Sequence, residues 1–305
     1  MNRPPAFAGE AGGAGAGIVA GEFLFTAKDF GRIAAIMHEE AGISLPESKV
    51  NLVYSRLAKR LRALGMQRFS EYCSLVGDPS GGGERDMMIA ALTTNVTRFF
   101  REPHHFEHLK TQILPPLITG IKQGQRVRLW SSACSSGQEP YSMALTLLGL
   151  LPDAANYDVR ILATDIDPNM IAFGKEGVYD RAALEPVPAS LCQRWFTAAR
   201  GAGTMAAGPE LRTLVAFKKL NLIGDWPLKG RFNAIFCRNV AIYFEKPTQA
   251  TIWARLAKRL EPEGALYIGH SERVTGEAEA WLRPDGITTY RPLPAGPLHS
   301  GQASP

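Results

Sequence analysis

The stretch Arg128-Leu129-Trp130-Ser131-Ser132-Ala133-Cys134-Ser135-Ser136-Gly137-Gln138-Glu139-Pro140-Tyr141-Ser142 decides the reading of this chain. A short apolar run halts at a string of small residues, and Pro140 then stands near an expected helix start. Ligands of open α/β sheets bind outside the carboxyl ends of the strands, so polar residues that follow apolar runs mark where a site should be sought. Two more segments have this form: Ile161-Leu162-Ala163-Thr164-Asp165-Ile166-Asp167 and Ile235-Phe236-Cys237-Arg238-Asn239-Val240-Ala241-Ile242-Tyr243-Phe244.

Outward from these segments, strands are expected near residues 127–131, 159–164, 234–238 and 265–270, separated by helices. That alternation implies βαβ units and a doubly wound, mostly parallel α/β domain over residues 95–293. Between 178 and 220 the alternation weakens around Gly201, Gly203, Gly208 and Pro209, which predicts a loop or hairpin inserted into that domain. The preceding part, 22–94, reads as a small all-helical domain. Thr26 with Asp29 forms a capping-box-like start ahead of Phe30, Ile33 and Met37, and Pro46 opens a second helix striped by Val50, Val53, Leu57, Leu61 and Leu64. The Gly/Ala-rich residues 1–21 and the Pro-rich residues 294–305 are expected to be disordered tails.

With 305 residues and 45% hydrophobic content the chain has enough apolar material for two cores, and no apolar run approaches the roughly 18 residues of a membrane helix. Four dispersed cysteines, without a CxxC pair or a nearby His at ligand spacing, predict reduced thiols in a cytoplasmic protein and no metal. Cys134 and Cys237 fall inside the strand-end motifs, where a small buried filler is the simpler role. A formal charge of +5 favours an acidic partner without naming it, so nucleic acid stays open at this point.

The first turn carries only Gly137 where a dinucleotide fold has G-x-G-x-x-G, which disfavours a pyrophosphate ligand. A nucleoside ligand without phosphate, such as S-adenosylmethionine, suits the weaker glycine requirement. Glu139 is then placed to pair with a positively charged amino group, the alternative being a helix-start carboxylate stabilised by the dipole. Asp165 follows the second apolar run, where a carboxylate can accept both ribose hydroxyls, while Asp167-Pro168 reads as an ordinary helix cap.

Together with Asn95-Val96-Thr97-Arg98-Phe99-Phe100-Arg101-Glu102, these segments resemble the chemotaxis receptor glutamate methyltransferases, the CheR family. The resemblance runs from about Phe30 to about Tyr290. Gln138 stands where the family often has an acidic residue, and Arg98 where it often has a small one. The resemblance implies an S-adenosylmethionine-binding domain whose inserted segment is a small β subdomain that docks on receptors. It also implies cofactor contacts from Asn95, Thr97, Arg101, Glu139, Asp165, Asn221, Leu222, Arg238 and Asn239, and catalytic roles for Arg101 and Tyr243. The implied reaction makes glutamate methyl esters on chemoreceptor cytoplasmic domains and releases S-adenosylhomocysteine; a monomer with no nucleic-acid partner and no membrane insertion is expected. A nucleic-acid methyltransferase and a non-catalytic S-adenosylmethionine-binding regulator are the competing readings. Lys49, Arg56 and Arg60 fall within a narrow arc of the second helix, offset from its apolar stripe, with Lys59 beside them, and are expected to face solvent as a docking surface for acidic receptor helices, the alternative being the charged face of any soluble helix.

Overall fold

The computed structural model describes residues 17–294. The tails expected at 1–21 and 294–305 lie outside the described residues except for 17–21 and Pro294. Ile18 donates its backbone N–H to the Phe25 carbonyl at 2.8 Å, so at least that part is bonded. No described helix is long and apolar enough to cross a membrane. The chain divides into two units, one holding residues up to 39 with 45–92, the other 40–44 with those from 93 onward.

The first unit is helical: α1 (Ala27–Ala41), α2 (Val50–Leu64), α3 (Phe69–Gly77) and α4 (Gly82–Leu92). The capping box forms at the start of α1: Asp29 accepts from the Thr26 N–H at 3.0 Å, and Thr26 Oγ1 accepts from the Asp29 N–H at 3.2 Å. Helix α1 buries Phe30, Ile33 and Met37, and α2 buries Val53, Leu57, Ala58 and Leu61. Val50 is only half-buried and Leu64 is exposed, so the apolar stripe of α2 is shorter than its sequence suggests. Phe25 and Phe69 pack at 4.4 Å between ring centroids, with Tyr54 at 5.5 Å from Phe69.

The second unit begins with α5 (Pro103–His108), a π-helical turn (Leu109–Ile113) and α6 (Leu114–Lys122). Pro115 and Pro116 lack the N–H groups that would continue the α pattern, and Leu114 donates to Leu109 across the wider turn. There follow β1 (Val127–Ser131), α7 (Gln138–Leu150), β2 (Val159–Asp165), α8 (Pro168–Glu176), β3 (Val178–Asp180), α9 (Ala189–Trp195), β4 (Phe196–Ala198), β5 (Thr204–Ala207), α10 (Pro209–Leu214), β6 (Val215–Lys219), β7 (Phe232–Cys237), α11 (Lys246–Ala257), β8 (Leu260–Ile268), β9 (Leu282–Gly286) and β10 (Thr289–Pro292).

Among the described residues the main sheet has the order β6-β2-β1-β7-β8-β10-β9. Its first five strands are parallel, and β10 and β9 add an antiparallel hairpin. Alternate side chains serve opposite faces. Leu129, Phe236 and Tyr267 join one apolar cluster with α7, whereas Trp130, Ile235, Cys237, Leu266 and Ile268 join another with α11. A sheet covered on both faces accounts for strands that read as continuous apolar runs.

The expected insertion at 178–220 needs correcting at its far end. Strands β3, β5 and β4 do form a small antiparallel sheet, but residues 215–219 are β6, paired in parallel with β2 at the edge of the main sheet. The inserted sheet therefore closes at Ala207.

Candidate active site

Strand β1 lies between β2 and β7, where the chain changes direction across the sheet. Such a switch point opens a crevice beyond the strand ends. Past Ser131 the chain is pinned on both sides: Ser132 donates its N–H to the Phe236 carbonyl and Cys134 to the Thr164 carbonyl, each at 2.8 Å. Ser135 then adopts φ +48° and Gly137 φ +98°. A Cβ on Gly137 would lie 2.8 Å from the Tyr179 hydroxyl and 3.1 Å from the Gly174 Cα, so the turn needs glycine for space as well as for backbone conformation.

This turn delivers Glu139 to the first turn of α7 with 9% of its surface exposed. Ser131 Oγ donates to its Oε1 at 2.7 Å and Arg238 Nη1 to its Oε2 at 3.0 Å. Burial pushes the Glu139 carboxyl above its usual range, against the opposing pull of Arg238 and Ser131. Arg238 follows β7, the other strand of the switch point. Its Nη2 bonds the Arg101 carbonyl and lies 3.3 Å from Glu102 Oε2, while its Nε is buried without a hydrogen-bond partner among the described residues.

At the end of β2, Asp165 accepts from the Ser135 N–H at 2.8 Å and from the Asp167 N–H at 3.0 Å. Burial raises its carboxyl as well, with those backbone bonds opposing. Asp167 caps α8 through the Asn169 N–H at 2.8 Å, and its other oxygen accepts from Asn95 Nδ2 at 2.9 Å. The cap thus also fastens the 95–102 segment, and Ser135 Oγ adds a bond to the Asn95 carbonyl at 3.0 Å. Thr97 is half-buried in that segment, and Arg101 Nη1 donates to the Val96 carbonyl at 2.9 Å.

Asn239 turns the chain with φ +57°, and its Nδ2 lies 3.4 Å from Glu102 Oε1. Tyr243 is half-buried at the end of the short turn Ala241–Tyr243. Asn221 has both ends of its amide engaged, donating to the Glu40 carbonyl at 2.6 Å and accepting from the Ile223 N–H at 3.1 Å. Leu222 is buried in the cluster around α11. Glu139, Arg238, Arg101, Asn95, Asn239 and Asp165 are therefore joined by short chains of contacts, whereas Asn221 and Leu222 are held by other partners.

Glu102 is the residue that the sequence reading passed over. At φ +57° it sets its carboxylate among Arg238, Asn239 and His270, the last at 3.2 Å. Burial alone would raise its pKa, but Arg238, His270, His105 and Asn239 outweigh that and hold it below the usual range. With His104 and His105 it also forms a group of metal-ligand type, with Arg238 Nη2 3.3 Å from its Oε2. Cys134 and Cys237 are buried with their thiols pushed well up by desolvation, as suits packing residues.

The basic arc on α2 needs correcting too. Arg60 does not face solvent freely: it forms a two-pronged pair with Glu84 at 2.9 and 2.6 Å, and Glu84 also accepts from the Tyr72 hydroxyl at 2.9 Å. Arg56 donates to the Ala91 carbonyl at 3.2 Å. Lys49 and Lys59 remain exposed. Of the charges beside the apolar stripe, α4 supplies Arg56 and Arg60 with partners, so they are not simply solvated.

Comparison with known proteins gives a consistent picture. Residues 95–290 match the CheR methyltransferase SAM-binding domain and residues 28–93 the CheR methyltransferase all-alpha domain. A probable chemotaxis protein methyltransferase of Rhizobium etli is 51% identical over 258 residues, covering 84% of this chain and 96% of that protein. Chemotaxis protein methyltransferase 2 of Pseudomonas aeruginosa is 43% identical over 282 residues, covering 89% of this chain and 95% of the relative. The chemotaxis protein methyltransferase of Escherichia coli is 38% identical over 248 residues, covering 80% and 83% respectively.

Proposed function

The chain belongs to the CheR methyltransferase family, and from that premise we propose that it esterifies glutamate side chains of chemoreceptor cytoplasmic domains at the crevice between β1 and β7. It is an S-adenosylmethionine-dependent methyltransferase of chemotaxis. The observation that carries the placement of the site is the buried meeting of Glu139 and Arg238 at the sheet's switch point, Nη1 to Oε2 at 3.0 Å.

The donor set there suits the cofactor. Its amino-acid end carries an ammonium and a carboxylate, and the crevice offers one buried carboxylate, Glu139, beside one buried guanidinium whose Nε has no partner among the described residues. Asp165 keeps acceptor capacity beyond its two backbone bonds, because an ionised carboxylate has about four lone-pair sites. The small side chains of 131–137 allow close approach to the backbone. When bound, the cofactor supplies a methyl group on a positively charged sulfur.

The chain's own residues bind, orient and exclude water. Glu139 and Arg238 anchor the amino-acid end, Asp165 the ribose, and Asn95, Thr97 and Asn239 close the crevice from neighbouring loops. Asn221 and Leu222 extend it toward the base through backbone groups, since the Asn221 amide is already engaged. Arg101 orients the acceptor carboxylate, a task for which a planar guanidinium is better suited than an ammonium. Tyr243, half-buried at the end of the Ala241–Tyr243 turn, would offer its ring to the sulfonium. A glutamate with a reference pKa of about 4.3 is already ionised near neutrality, so no general base is required. Alignment and partial desolvation then supply the rate. His105 fits this economy: burial, helped by Arg238 and His104, drives its pKa down to about 3, and it bonds Thr288 Oγ1 at 2.9 Å.

Incubation with methyl-labelled S-adenosylmethionine and a chemoreceptor cytoplasmic domain tests the reading. Label that is released by mild base supports an ester; base-stable label, or transfer to nucleic acid, contradicts it.

A further inference from the structure

We propose that Glu272 is a positioning residue whose carboxylate sets the shape of the 238–243 segment. After β7 the chain bends at Asn239, a non-glycine residue with φ +57°. Three successive backbone N–H groups then converge on one side chain: Asn239 donates to Glu272 Oε2 at 2.9 Å, and Val240 and Ala241 donate to Oε1 at 2.9 and 2.7 Å. A fourth, from Gly269 at the end of β8, donates to Oε2 at 2.5 Å. Four donors fill the acceptor capacity of a carboxylate, and hydrogen bonds to an ionised acceptor are about twice as strong as neutral ones.

The clamp joins the loops that follow two adjacent parallel strands. Its second half is steric. A Cβ on Gly269 would lie 2.5 Å from Asn239 Nδ2, 2.7 Å from the Asn239 N and 2.8 Å from Glu272 Oε2, so only glycine lets the loops close. The clamped residues fix their neighbours: Arg238, aimed at Glu139, precedes them, and the Ala241–Tyr243 turn begins on the last one. The same bend holds the Asn239 side chain against Glu102.

The proposal rests on the reading that residues 238–243 line the cofactor and acceptor crevice, and its test separates the two. Glu272→Gln keeps the size of the side chain but puts an NH2 group against at least one pair of donors. Affinity for S-adenosylhomocysteine and the turnover number should each fall by about tenfold or more, the loss expected for one charge-assisted hydrogen bond. Amide hydrogen exchange should accelerate at 239–241 and 269, while the strands of the sheet keep wild-type protection. Gly269→Ala approaches the same clamp from the other loop and should reproduce both effects, which keeps the test open if the Gln variant folds poorly. Wild-type exchange at the four amides, or fast exchange with wild-type affinity and turnover, overturns the positioning role. If Asn239→Ala and Tyr243→Phe also leave affinity and turnover untouched while the clamp variants lose exchange protection, the placement of the crevice on this segment is what fails.

Discussion

Arg238 and Glu139, 99 residues apart in the chain, meet across the junction of β7 and β1 with Nη1 3.0 Å from Oε2. Neither can be removed on equal terms. Arg238→Ala leaves both Glu139 and Glu102 without their cation in a buried place, and should cost about 3–5 kcal/mol of stability. Glu139→Gln leaves Arg238 its bonds to Glu102 and Arg101 and removes a carboxylate that burial disfavours, so the fold should be nearly unchanged. Cofactor affinity should nonetheless drop by about 1.5–3 kcal/mol through loss of the ammonium partner. Denaturant unfolding and calorimetric titration of the two variants separate these effects.

Asp165→Asn keeps one carbonyl acceptor and surrenders the charge. One oxygen accepts from the Ser135 N–H and the other from the Asp167 N–H, so the amide must set its NH2 against one of these buried donors. The variant should therefore lose about 1–3 kcal/mol in denaturant unfolding, even though neutralising the carboxyl relieves some desolvation cost. Affinity for S-adenosylmethionine should still fall by about 1.5–3 kcal/mol, since the ribose hydroxyls lose a charged acceptor. Unchanged affinity by calorimetry removes Asp165 from the site.

On α2 the four basic residues should behave as two pairs. Arg60→Ala breaks the two-pronged bond to Glu84 and should cost about 1–3 kcal/mol in denaturant unfolding. Reversing Lys49 and Lys59, both exposed, should leave stability and cofactor binding alone while slowing receptor methylation at low salt. Equal methylation rates in the reversed variant and wild type would remove this face from receptor docking.

Acidity should act on cofactor binding and on chemistry separately. The ionised form of Glu139 pairs with an ammonium, and burial raises its pKa; affinity for S-adenosylmethionine should therefore decay as pH falls, beginning above the ordinary glutamate range. The stability linkage has the opposite sign. The native state holds the Glu139 proton more tightly than the unfolded chain, so its contribution is present at low pH and is lost as pH rises through the folded value. With saturating cofactor and receptor, single-turnover rates should stay nearly flat from about pH 6 to 8, since an acceptor carboxylate is ionised throughout. A steep rise across that window, abolished by substituting His270, would favour proton transfer instead.

Much of the fold was legible where one strand serves two faces. Leu129 and Trp130 point to opposite apolar clusters, so β1 reads as an unbroken apolar run that stops at Ser131. Strand β6 reads as the far end of the expected insertion because Val215-Ala216-Phe217-Lys218-Lys219 is short and ends in two exposed lysines, as an edge strand next to solvent allows. The hairpin of β9 and β10 leaves a weak local signal because Pro284 and Gly286 interrupt the apolar pattern of β9, although proline is tolerated there because β9 is the strand at the sheet edge. Glu139 and Asp165 are legible as candidates because each directly follows an apolar run or its turn. The partners of Arg238, Glu102 and Arg60 are not, since those pairs are set by tertiary packing between distant segments and leave no local pattern.

The most direct measurement is to map the methyl group on the receptor itself. A chemoreceptor cytoplasmic domain incubated with the wild-type protein and S-adenosylmethionine should acquire methyl groups on glutamate residues, detectable by peptide mass spectrometry and lost after mild base. Asp165→Asn protein at a cofactor concentration near the wild-type KM should give far less of the same product. Base-stable methyl groups on lysine, arginine or a nucleic acid, or no transfer to any receptor glutamate under conditions where the cofactor is bound, would contradict the account.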